Sequence, residues 1–194
     1  MSVKQINKFN NESEINDIIN NNNTTTLELK NGMLIVNSKV YKIEDNYMKD
    51  LSEAIIHSKT IKNLLLSHDI NVESMKYLSE AIKGNNTIRY LTFKSDINVE
   101  SMKYLTEAIK YNETITHLFL KADINFCSMK YLSETIKDNK TITHLIFYSD
   151  INVDSMKYLS EAIKDNKTIT HLFFYSDINA DKATKKSASL SAAS

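Results

Sequence analysis

Three histidines, His117, His144 and His171, recur at a fixed interval of 27 residues, each inside the same Thr-Ile-Thr-His-Leu string. Imidazole binds metals and titrates near neutrality, so zinc binding and a pH response are the chemistries to weigh first. A second recurring string, Asn85-x-Thr87 with copies at Asn112, Asn139 and Asn166, matches the glycosylation acceptor. With no signal peptide in Met1 to Asn11, these asparagines read instead as helix-end and strand-start residues. Cys127 is the single cysteine. A thiolate would be favoured at the helix start where it falls, but no base is placed to use it, so it reads as a neutral substitution. The chain contains no Gly-rich phosphate loop, no nucleophile–base constellation and no paired carboxylates. An enzyme is therefore not expected, and neither a cofactor nor a metal is implied.

Bulk composition narrows the partners. Lys+Arg and Asp+Glu both number 24, giving zero formal net charge. Nucleic-acid and anionic-membrane binders carry a basic excess, so neither class is favoured. No apolar run approaches the ~20 residues of a membrane span. A lone cysteine gives no internal disulfide and no sign of an oxidising compartment. The expected location is cytoplasmic, a host cell's cytosol included.

The elements that position these residues come from internal repetition. Five units can be aligned, beginning at Glu44, Asn71, Asn98, Asn125 and Asn152 and ending at Ile178; the last two match at 23 of 27 positions. The constant set includes Met75, Leu78, Ala81, Ile82, Ile88, Leu91, Ile97 and their counterparts, with Thr135 replacing alanine in the fourth unit. The first four follow i, i+3, i+6, i+7 spacing and share one helix face. Asn71 is placed to cap that helix, with Glu73 at its positive end. Asn85 is expected to close it in a left-handed turn. Ile88, Leu91 and Phe93 then alternate as the buried side of a short strand. A helix and strand of this size cannot bury their apolar faces alone, whereas units stacked with strands ~4.8 Å apart can.

The run Ile115-x-x-Leu118-x-Leu120-x-x-Asp123-Ile124 resembles the leucine-rich repeat signature, and the Leu-x-x-Ala-Ile helix ending is similar to the ribonuclease-inhibitor-like subclass. The resemblance implies an α/β leucine-rich repeat solenoid, a right-handed αβ superhelix with a parallel inner sheet and outer helices. Two features depart from it: Asp69, Asp96, Asp123, Asp150 and Asp177 stand where the family has an asparagine ladder, and each unit is one residue short. Residues 1–43 read as an N-terminal cap with a degenerate repeat, helical over 3–20, followed by a hairpin turned at Asn31-Gly32. Residues 44–178 hold the five repeats. Residues 179–194 read as a tail that is flexible or caps poorly.

In this family the strands line the concave face, so the resemblance implies exposed columns there. One holds Tyr90, His117, His144 and His171; a second holds Phe119, Ile146 and Phe173 as an apolar stripe; a third ends in Tyr148 and Tyr175. Lys62, Arg89, Lys94 and Lys121 lie toward the N-terminal half. Aromatic enrichment with sparse charge marks an interface core, so a protein partner is expected on this face. Three histidines in a straight row cannot converge on one tetrahedral ion, which leaves them as sheet-surface residues. Protonated, they would repel one another, and partner binding is expected to weaken near pH ~6. The alternative expectation is self-association into a homo-oligomer through a poorly capped last strand (169–174).

Overall fold

The structure is a computed structural model that describes residues 6–8, 12–20, 23–44, 47–67, 70–94, 96–121, 124–149 and 151–175, with only the backbone for 6–8 and 12. The tail at 179–194 and the ladder positions Asp69, Asp123, Asp150 and Asp177 lie outside the described residues.

Among the described residues are six helices and nine strands, which alternate from the second helix onward. The repeating part runs α2 (Met48–His57), β5 (Asn63–Leu66), α3 (Val72–Gly84), β6 (Tyr90–Phe93), α4 (Val99–Tyr111), β7 (His117–Leu120), α5 (Phe126–Asp138), β8 (His144–Phe147), α6 (Val153–Asp165) and β9 (His171–Phe174). Each of α3 to α6 starts where the sequence places its cap: the Asn71, Asn98, Asn125 and Asn152 side chains accept from the backbone N–H three residues on, at 2.8 to 2.9 Å. β5 to β9 pair in parallel and in strict register, Leu64 beside Leu91, Leu118, Leu145 and Leu172. The core lies between this sheet and the helices, filled by Met75, Leu78, Ala81, Ile82, Ile88, Leu91 and Phe93 and their repeats. The chain thus has an α/β fold of the leucine-rich repeat type, with a parallel sheet on one side and helices on the other.

The N-terminal segment departs from a helix over 3–20. Ile6–Lys8 form a strand, β1, and helix α1 covers only Glu12–Asn20. β1 pairs in parallel with β4 (Lys39–Lys42), the last strand of a three-stranded meander with β2 (Thr26–Lys30) and β3 (Met33–Val36). Three residues are too few to show a period, and their partner lies more than 30 positions away, so no local pattern announces the strand. The β2–β3 turn is made by Asn31 and Gly32 at φ 51° and 66°, the double left-handed geometry that two-residue hairpins favour. A second such turn, Asn37-Ser38 (φ 49° and 66°), joins β3 to β4. β2 then pairs in parallel with β5 and joins the meander to the repeats.

The helix ends also correct the sequence reading. Asn85 is extended at φ −77°, ψ 134°, as are Asn112, Asn139 and Asn166. Asn85 is only 2% exposed, because its side chain joins two units. Its Nδ2 donates to the Ile55 and Ser58 carbonyls of the preceding unit, at 2.7 and 3.1 Å. Its Oδ1 accepts from the Thr87 and Ile88 amides, both at 2.8 Å. Asn112 and Asn166 repeat all four bonds. An asparagine ladder therefore exists, at the helix ends. Carbonyls orphaned at each helix terminus find donors in the next unit. Burial also disposes of Asn85 and Asn112 as glycan acceptors.

Candidate functional site

Strands β5 to β9 present their second side-chain set away from the core, in rows that cross the strands. In the first row, His117, His144 and His171 stack ring on ring with centroids 4.1 and 4.2 Å apart, and Tyr90 lies tilted by 35° against His117 at 4.4 Å. The spacing follows from the parallel register, which sets His117 beside His144 and His144 beside His171. In the next row Phe119, Ile146 and Phe173 are register neighbours. In the third, Tyr148 and Tyr175 stack at 5.0 Å, and the Lys121 ammonium lies 4.0 Å from the Tyr148 ring centre. Phe173 sits between His171 and Tyr175, 6.0 and 6.1 Å from each, so the rows touch.

The structure brings all nine sequence-predicted residues onto one face, with one correction. Ile146 is not exposed: its relative exposure is 5%. Phe119 and Phe173 flank it in register, and their larger side chains cover a residue that alternation alone places at the surface. Tyr90 and Tyr175 are 39% and 49% exposed. The remaining members are half-buried, apart from the exposed His171.

Each histidine is held by the threonine before it. Thr116, Thr143 and Thr170 Oγ1 lie 2.8 to 2.9 Å from the Nδ1 of His117, His144 and His171. The same hydroxyls donate to the carbonyls of Arg89, Thr116 and Thr143 on the preceding unit, at 3.3 to 3.4 Å. A hydroxyl has one proton. Both contacts are satisfied when that proton goes to the carbonyl and Nδ1–H donates to the oxygen. Neutral rings then carry their bare lone pair on Nε2. The strand columns alone give these threonines no role; the repeated Thr-His dipeptide is the signal that points to one.

The same geometry bears on metal binding. Imidazole lone pairs lie in the ring plane, so face-to-face rings point them side by side rather than at a common ion. Among the described residues, no group of three or more His, Cys, Asp or Glu could hold a metal. Partial burial, and after it the charge of His171, holds His117 below the ordinary histidine range. His144 is lowered by partial burial and then by His117 and His171. Cys127 is exposed.

No protein-family model and no curated protein matches the chain. Similar solved structures include the tropomodulin C-terminal domain of Caenorhabditis elegans, with a TM-score of 0.58 at 16% identity, covering 80% of this chain and 93% of that one. Another is leiomodin-1 actin-binding site 2, with a TM-score of 0.60 at 18% identity, covering 79% of this chain and 87% of that one. At such identities the likeness concerns architecture, and what it establishes is a fold of the leucine-rich repeat type.

Proposed function

We propose that this chain is a protein-interaction scaffold, without catalytic chemistry of its own, that binds a partner through the sheet face of β6 to β9. The observation that carries the reading is the continuous, nearly uncharged field of rings built from Tyr90, His117, Phe119, His144, Tyr148, His171, Phe173 and Tyr175 over Ile146. Stacked rings are pre-organised and lose little side-chain entropy when covered, which suits the desolvated centre of an interface. The leiomodin-1 structure, described as an actin-binding site, supports protein binding as a use of this architecture. The finer likeness to the ribonuclease-inhibitor-like subclass, and a cytosolic location, belong to the same proposal. Among the described residues no helix is long and apolar enough to cross a membrane.

The test is capture of partners from lysate by the chain and by a Phe119→Asp/Phe173→Asp variant. A Tyr90→Ser/Tyr175→Ser variant, changed at exposed positions, guards against misfolding. Partner recovery should fall with both variants; unchanged recovery with both overturns the face as the site. A second reading, a self-associating homo-oligomer joined through β9, has one observation in its favour. Leu172 and Phe174 are only half-buried, where Leu145 and Phe147 are fully buried. A mass by light scattering that stays monomeric at all concentrations excludes it.

A further inference from the structure

The ring face has a direction. From β7 to β9 the first row is imidazole and the second apolar, and from β8 to β9 the third is phenol; toward β5 the rows turn polar and basic, with Tyr90 and Thr92 on β6 and Lys94 just after it. A ligand that reads these rows must repeat one kind of group at about the strand spacing, ~4.8 Å, and change kind sideways. An α-helix laid across the strands does this. Its i, i+3, i+4 and i+7 side chains form stripes with neighbours ~5–6 Å apart, and adjacent stripes can differ in kind. An extended segment in the same place shows same-side residues ~6.6 Å apart and turns half of its side chains away. The dimensions agree as well. Five strands span ~19 Å, about 13 residues of helix, and a four-residue strand is ~13 Å long against a helix diameter of ~10–12 Å.

Charge sets the polarity. Lys62, Arg89, Lys94 and Lys121 belong to the β5–β7 end, whereas β8 and β9 bring no Lys or Arg to the rows. Among the described residues, the rows of β5 to β9 contain no carboxylate. Glu28 on β2 is already engaged, 3.7 Å from the Lys94 ammonium and 2.8 Å from the Ser67 hydroxyl that donates to it. Asp96 belongs to the loop after β6, and its counterparts lie outside the described residues. Lys94 is paired, Lys121 stands over Tyr148, and Arg89 Nη1 reaches the Asn86 and Ile88 carbonyls at 3.4 Å; Lys62 and the other donors of the Arg89 guanidinium are the cations placed to meet acidic groups.

We infer that the face takes an amphipathic α-helix laid across β5 to β9. Its apolar stripe covers Phe119 and Phe173, hydrogen-bond donors reach the Nε2 row of His117, His144 and His171, and its acidic end lies over Lys62 and Arg89. The inference rests on the protein-binding reading above and narrows it to one class of partner. The threonine contacts support the donor assignment, because they occupy Nδ1 and leave Nε2 as the acceptor. Acid reverses that role: a protonated ring donates at both nitrogens, so the ladder loses its acceptors. Around it stand Tyr90 on β6, Arg89 before β6, and Lys121, Tyr148 and Tyr175 in the third row. Among the described residues no carboxylate faces the ladder to hold its charged form.

Two display libraries panned against the full chain test this, one of surface-randomised three-turn helices on a helical-hairpin scaffold and one of extended peptides. Selected binders are measured by fluorescence anisotropy on the wild type, Tyr175→Ser and His144→Leu. Helical binders with acidic residues at one end and Gln, Asn or Lys in one stripe are expected. They should lose about tenfold in affinity on either variant and weaken between about pH 7.5 and 5.5. Enrichment only of extended peptides that also lose affinity on the variants would overturn the helix and leave the binding face standing. No binder sensitive to either variant would overturn both. Helices that bind equally well at both pH values would overturn the acceptor role of the histidines.

Discussion

Two ladders run through the repeats at the same interval, and they differ in how completely their polar groups are used. The asparagines at the helix ends are buried at 85, 112 and 139 and half-buried at 166, and Asn85, Asn112 and Asn166 each join two carbonyls behind them to two amides ahead. The histidines on the sheet face use Nδ1 on a threonine and stack at 4.1 and 4.2 Å, while Nε2 keeps unspent hydrogen-bonding capacity. Duplication copied both ladders alike, so recurrence does not separate architecture from recognition. Satisfaction does: a group with all its bonds made inside holds the fold, and one with capacity left over can meet something else.

Asn112→Ala tests the structural ladder most severely. It strands two carbonyls and two amides in the core and should cost about 3 kcal/mol or more in urea unfolding. Asn166→Ala makes the same change at a half-buried position; water can reach the abandoned groups, and the cost should be roughly half as large. Equal costs would mean that burial is not what makes the ladder matter.

Acid should act on the other ladder. The folded state holds His117 and His144 below their ordinary value, so between the folded and unfolded values the unfolded chain binds more protons. Their contribution is therefore full above the unfolded histidine value of about 6.5 and is lost as pH falls from there through the lower folded values. The melting temperature should drop from about pH 7.5 to 5, and a His117→Gln/His144→Gln variant should remove part of that drop. A profile the double variant leaves unchanged would assign the acid sensitivity elsewhere.

Two smaller changes sharpen the contrast. Thr135 stands where the other units have alanine, and beside it the Asn139 bond to the Ile109 carbonyl stretches to 3.3 Å, against 2.7 Å for Asn112. Thr135→Ala should gain about 0.5 kcal/mol from helix propensity alone, with any excess reporting a tightened ladder. His144→Leu should change stability by no more than about 0.5 kcal/mol, because its ring is half-buried on the sheet face. A loss as large as that of Asn112→Ala would erase the distinction between the ladders.

Much of this architecture is legible in the residues. The i, i+3, i+6, i+7 set from Met75 to Ile82, the asparagine caps and the Leu-x-Phe strands each satisfy a local rule, and copying the rule shows which positions must stack. What was not legible depends on contacts between units. Asn85 reads locally as a left-handed turn residue, yet its conformation answers to the carbonyls of Ile55 and Ser58, some 30 positions earlier. Alternation puts Ile146 on the outer face but says nothing of the two phenylalanines that cover it. β1 exists only because β4 is there to receive it. The site was partly legible in the same way: the columns followed from the strand pattern, whereas the threonine grip that fixes the histidine tautomers needed the strands side by side.

The asparagine bonds make the repeats directional. At the junctions made by Asn85, Asn112 and Asn166 a unit brings the donors that finish the unit before it, so these three junctions are built from the same two half-interfaces. A copied unit inserted in frame therefore arrives with both halves, and the chain can lengthen without inventing a new contact. Such growth would extend the sheet face by one strand at a time, which makes the reach of this surface a quantity that gene duplication can adjust in single steps.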